Sequence, residues 1–235
     1  MNRKLTASLL ILAAVLANVG FIALGSIFNY PDVLDEPAGD VLASFRDSQG
    51  AVSLWFLVLA VAVGLLAPIA IGVGRLSSNK AMRLAVSVGI TAAIVQVVGL
   101  LRWPILVPGY ASDAASSNAA VAGDARDTFT SVSDILGTAL GETVGYLLTA
   151  TWTVLVVVAL GRRYAGRWFQ ALGVTSAVLV FAGVFSPLGT PMIDTANFFG
   201  YVLWSLWLVA LGMLILVHER RTASSPAPAP VAARS

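Results

Sequence analysis

The chain has no cysteine and a single histidine, His218. Without thiols there can be no disulfide, no thiolate metal site and no cysteine nucleophile. One histidine rules out a haem held by two histidines and leaves no basis for a histidine-built zinc site. Charge is scarce as well: 11% of the 235 residues are Asp, Glu, Lys or Arg, against 58% hydrophobic. A soluble domain carries about 25% charged residues, so most of this chain belongs in a bilayer. The motifs HExxH, GxSxG, GxxxxGK[ST] and a helix-opening GxGxxG are all missing, and no second histidine supports a Ser–His pair. These absences count against hydrolase and redox chemistry.

What is present is apolar sequence in long runs. Six segments approach or exceed the roughly 20 helical residues needed to cross a hydrocarbon core of about 30 Å. They span approximately residues 5–28, 51–74, 84–103, 136–161, 168–185 and 197–217. The first follows the basic start MNRK and opens like a signal peptide, but its apolar run continues to Phe28. That exceeds a signal core, and a retained helix is expected. Pro104 and Pro108 are expected to stop the third helix. In the polar loop 29–50, Val41, Leu42 and Phe45 fit one face of a short surface helix. The loop 105–133 reads as mobile in its first half. In its second half Val121, Ala125, Phe129, Val132 and Leu136 recur at helical spacing, so the fourth helix should begin near residue 120. The tail 221–235, rich in Pro and Ala, implies no packed structure.

The charges sort by side. Eleven of the fourteen basic residues fall at one set of span ends, where the only acid is Glu219. The other eleven acids share the opposite side with Arg46, Arg102 and Arg126. Basic residues in short loops stay cytoplasmic, so both termini are expected inside, in the cytoplasmic membrane. The pI near 9.2 is then a topology signal and not a nucleic-acid patch. Trp55, Trp103 and Tyr201 are expected at the outer interface and Trp168 at the inner one. His218, just past the last span, is expected to be solvated.

The segment DILGTALGETVGY (Asp134–Tyr146) concentrates the unusual features. Gly137, Gly141 and Gly145 recur every fourth residue, a stripe on which another helix can pack closely. Glu142 lies beside the stripe, and an ionisable group there needs a partner. Counting 1.5 Å per residue from the basic ends, Glu142 and Arg102 both come out about 28–30 Å up, with Asn197 at about 31 Å. Deeper, Asn18 and Gln96 share a level near 20 Å and could hydrogen-bond across the first and third helices. No cofactor and no metal is expected. The partner expected is the bilayer, with no nucleic acid; a homo-oligomer or an unidentified membrane partner stays open, since the glycine stripe could equally pack within the chain or against a second copy.

Two stretches echo each other, GYLLTATW at Gly145–Trp152 and GYVLWSLW at Gly200–Trp207. With GLLRWPILVP (Gly99–Pro108) and LGETVGYLLTATW (Leu140–Trp152), they resemble a bacterial multi-pass membrane family catalogued as domain of unknown function 4386. The resemblance implies a six-helix membrane protein without an assigned activity. The positions it carries over are Arg102, Trp103, Gly141, Glu142, Gly145, Tyr146, Gly200, Tyr201 and Trp207. The expected fold is an all-α six-helix transmembrane bundle with short amphipathic helices in the extracytoplasmic loops. The candidate polar site is Arg102, Glu142, Asn197 and Tyr146. The first expectation for function is a non-enzymatic structural or accessory protein, braced by an Arg102–Glu142 pair. The alternative is a carrier of a small solute or ion with Glu142 exchanging protons, and a remote third is a membrane enzyme acting on lipid.

Overall fold

The computed structural model describes residues 2–223. Nine α-helices and four short 3-10 or π segments build it, and there is no strand among the described residues. Six stretches are long and apolar enough to cross a membrane: Arg3–Phe28, Gln49–Leu76, Lys80–Asp113, Ala119–Gly161, Gly166–Leu188 and Pro191–Arg220. The protein is an all-α, multi-pass membrane protein.

The first span is α1 (Arg3–Phe28), started by the Asn2 side chain accepting from Lys4 N–H. At the acidic end the chain passes through a 3-10 turn into α2 (Ala38–Asp47), which buries Val41, Leu42 and Phe45. The second span is α3 (Gln49–Gly64) followed by α4 (Leu66–Val73), with Leu65 between them in the right-handed helical region. The third is α5 (Lys80–Ile105), capped by the Asn79 side chain on Met82 N–H. That same side chain donates to the Ala159 carbonyl at 2.8 Å, tying the start of the third span to the basic end of the fourth.

The prolines do not stop this helix at residue 103. Pro104 sits inside the last turn of α5, which continues to Ile105. Pro108 opens α6 (Val107–Asp113) in its first turn, where a missing N–H is tolerated. The first half of the long loop is therefore helical where a mobile segment was expected. The second half is α7 (Ala119–Val132), which buries Ala122, Ala125 and Phe129. It feeds directly into a π-helical segment, Ser133–Val144.

Next comes α8 (Gly145–Ala182), interrupted where Gly161 and Gly166 take φ of 64° and 77° with ψ near 180°. Glycine alone enters that region readily, and the pair makes the turn between the fourth and fifth spans. The fifth span ends in a 3-10 turn, Gly183–Leu188, closed by Gly189 in the left-handed region. The sixth is α9 (Pro191–Ala223). The tail assigned to residues 221–235 thus begins inside this helix, and from residue 224 it lies outside the described residues.

The helices pack as a closed bundle. α1 lies against α3, α4 and α9, α5 against α3, α4 and α8, and α8 against α9. The two echoing stretches meet in this bundle. Tyr146 and Tyr201 stand with ring centroids 5.7 Å apart, and Trp152 and Trp207 at 5.7 Å nearly edge to face. The fourth and sixth spans run parallel, so equal positions on equal motifs come face to face.

A second core, at the acidic end, is aromatic. Trp103 is fully buried, stacked on Phe56 at 4.7 Å and ringed by Phe28, Phe45 and Phe129. It is therefore a core residue and not the interface anchor its position suggested. It joins the third span to α2 and α7 within a buried cluster that also holds Val41, Leu42, Val107 and Ala111. Trp168, 56% exposed, does face outward. At the basic end His218 is half-buried. Its ring stacks on Tyr164 at 4.5 Å, and Nδ1 lies 2.9 Å from the Leu214 carbonyl.

Candidate functional site

The glycine stripe faces α5 residue by residue. Gln96, Gly99 and Arg102 recur every third position on α5 and meet Gly145, Gly141 and Gly137 in reverse order. A Cβ on Gly145 would stand 2.9 Å from Gln96 Cγ, and one on Gly99 would stand 2.9 Å from Gly141 Cα. A Cβ on Gly137 would stand 2.6 Å from Arg102 Nη2. Gly99 and Gly141 let the two backbones touch, and Gly137 leaves the space that the guanidinium fills.

Arg102 is 6% exposed. Its Nη1 donates to the Gly99 carbonyl at 2.6 Å, and its Cζ lies 5.3 Å from the centre of the Trp103 ring. Its Nε has no hydrogen-bond partner. A buried donor left unpaired costs about 1–3 kcal/mol, and this one is closed off from solvent beside Gly137.

Arg102 and Glu142 line one cleft of about 240 Å³. No nitrogen–oxygen contact of 4 Å or less joins them. Glu36 from the cap and Asp134 from the π segment are also in the wall, with Thr130, Ser133 and Thr138. Ser133 Oγ is buried without a partner. Ser133 and Thr138 are five residues apart. An α-helix would set them on diverging faces, whereas the i→i+5 winding of a π-helix stacks them. Over Ser133–Val144 the winding thus puts polar side chains on the cleft while the glycines still meet α5.

Tyr30, just beyond the first span, is within electrostatic reach of both charges. Burial pushes its hydroxyl up to about 12, with Glu142 adding to the rise and Arg102 opposing it. Tyr30, Ser133, Thr138, Glu36 and Asp134 were not singled out from the sequence. Only the π winding and the folding-back of the cap bring them to Arg102.

The remaining candidates lie elsewhere. Asn197 is buried and donates to the Val180 carbonyl at 2.9 Å, packing with Tyr146 at Gly183, where the fourth, fifth and sixth spans meet. Neither Asn197 nor Tyr146 is in the cleft wall. Asn18 and Gln96 do not bond each other, because α1 and α5 lie on opposite sides of α3 and α4. Asn18 donates to Ser205 Oγ at 2.9 Å and to the Ala14 carbonyl. Gln96 donates to Thr149 Oγ1 at 3.1 Å. Below it Thr153 Oγ1 donates to the Thr149 carbonyl at 2.8 Å and accepts from Trp204 Nε1 at 2.8 Å. A short polar column therefore continues from the glycine seam into the bundle. Among the described residues, no three His, Cys, Asp or Glu side chains converge as a metal-ion set.

No curated protein and no solved structure matches this chain. One family does: Domain of unknown function (DUF4386), over residues 5–212. That match covers most of the sequence, including both walls of the cleft, and the chain belongs to the DUF4386 family.

Proposed function

We propose that this protein, in the cytoplasmic membrane with both termini cytoplasmic, carries a small polar solute that enters the acidic-end cleft, with Glu142 exchanging a proton. The carrying observation is that Arg102 and Glu142 share a cleft without pairing. A brace would be expected to close the two charges on each other. A binding site leaves both available. At about 240 Å³ the cleft is smaller than the ~300–1,000 Å³ that encloses drug-sized molecules, which fits a compact solute.

Two further features support carriage. The fourth span is π-wound at the cleft. Such π segments recur at functional sites. The polar column of Gln96, Thr149 and Thr153 begins about one turn beyond Glu142 toward the basic end. The contact of Gly99 with Gly141 favours a second reading, a bracing role for the seam without transport.

Proteoliposomes holding a pH dye separate the two. Under the carrier reading, at least one inward gradient of a small polar solute changes lumenal pH. Glu142→Gln abolishes that change while leaving the detergent melting temperature within a few degrees of wild type. A wild-type protein that moves no protons with any solute, together with a lowered melting temperature in Glu142→Gln, would support bracing.

A further inference from the structure

The cleft carries an unbalanced but two-signed set of charges. Three carboxylates, Glu36, Asp134 and Glu142, face it with one guanidinium, that of Arg102. The guanidinium is more than nine-tenths buried, is anchored by a single bond through Nη1, and has an unpartnered Nε. Ser133 Oγ, in the same wall, is also unpartnered. A solute bearing only a positive charge would satisfy the carboxylates and leave Arg102 and Ser133 as they are. An anion would satisfy Arg102 but meet the half-buried Glu142 carboxylate and, at the exposed rim, those of Glu36 and Asp134, and like charges brought together repel.

We infer that the cleft between Arg102 and Glu142 takes a compact zwitterion with an ammonium and a carboxylate, of the amino-acid class. Its carboxylate accepts from the Arg102 guanidinium and the Ser133 hydroxyl. Its ammonium donates to Glu142 and to Asp134 or Glu36. Arg102 and Glu142, which do not pair with each other, then each meet the opposite charge on one molecule. The inference rests on the proposed solute-binding role of this cleft and specifies its ligand.

The test uses purified full-length protein in nanodiscs and isothermal titration calorimetry. The probes are free α-, β- and γ-amino acids, plus two analogues of alanine that each lack one charge, ethylamine and propionate. At least one amino acid is expected to bind, and at least ten-fold more tightly than either one-charge analogue. Ser133→Ala should weaken that binding several-fold, and Arg102→Met and Glu142→Gln at least ten-fold each. Because Arg102→Met removes a packed side chain, Arg102→Lys serves as its folded control, retaining more binding than Met. Ethylamine binding as tightly as any amino acid, Ser133→Ala without effect, or no amino acid binding at all would each overturn the inference. Proton movement driven by a simple cation in the proteoliposome assay would preserve the carrier and remove the zwitterion. Amino-acid binding without proton movement would do the reverse.

Discussion

The Arg102 guanidinium occupies the space that a side chain on Gly137 would need, with Nη2 2.6 Å from the position of the missing Cβ. Glycine at 137 is thus a condition for a buried arginine on the neighbouring helix. Gly137→Ala forces either the guanidinium or the π segment to move. Overpacking of this kind costs about 1–3 kcal/mol, and a lowered melting temperature in detergent is expected. Gly123→Ala, at a position with nothing within 4 Å of the added carbon, should melt within a few degrees of wild type and serves as the control.

Trp103 is the largest side chain in the buried cluster under the acidic-end cap. Its removal leaves a cavity against Phe28, Phe45, Phe56 and Phe129. Trp103→Ala should cost about 3–5 kcal/mol and expose the connections around α2 and α7 to limited proteolysis. Trp168→Ala, at an exposed position, should change stability by about 0.5 kcal/mol or less. Comparable losses in the two variants would deny Trp103 its role in that cluster.

Tyr30 supplies a pH signature. Its hydroxyl is pushed up to about 12 in the folded protein, first by burial and then by Glu142. In the unfolded chain a tyrosine ionises near 10. Between those values the unfolded state has given up a proton that the folded state still holds. Stability is therefore fully present below about pH 10 and is lost as pH rises toward about 12. Melting temperature measured across that window should fall less steeply in Tyr30→Phe than in wild type. Parallel curves would show that Tyr30 ionises as a solvent-exposed tyrosine does.

Much of the architecture was legible because bilayer physics writes it in one dimension. Length and hydropathy mark six spans, and α2 and α7 follow from apolar residues recurring at helical spacing. The glycine stripe pointed to a close helix seam, and Gly137, Gly141 and Gly145 do meet α5. The limits were set by features with no one-dimensional signature. Pro104 reads as a stop, but a last-turn proline merely leaves one carbonyl free. Trp103 reads as an interface anchor, because sequence gives depth and not the direction a side chain faces. Asn18 and Gln96 share a depth, but depth alone does not say which helices are neighbours. The π winding over Ser133–Val144 changes which residues share a face, so Ser133 and Thr138 stayed hidden while Glu142 stood out.

The absence of cysteine makes the central claim, that the cleft beside Glu142 is open to the acidic side, directly measurable. Thr138 lines that cleft, and Ser78 is exposed in the turn at the basic end. Each can be changed to cysteine as the only thiol in the chain. A membrane-impermeant maleimide added to intact cells should label Thr138→Cys at once and Ser78→Cys only after permeabilisation. Labelling of Thr138→Cys only in denaturant, or of Ser78→Cys first, would contradict it.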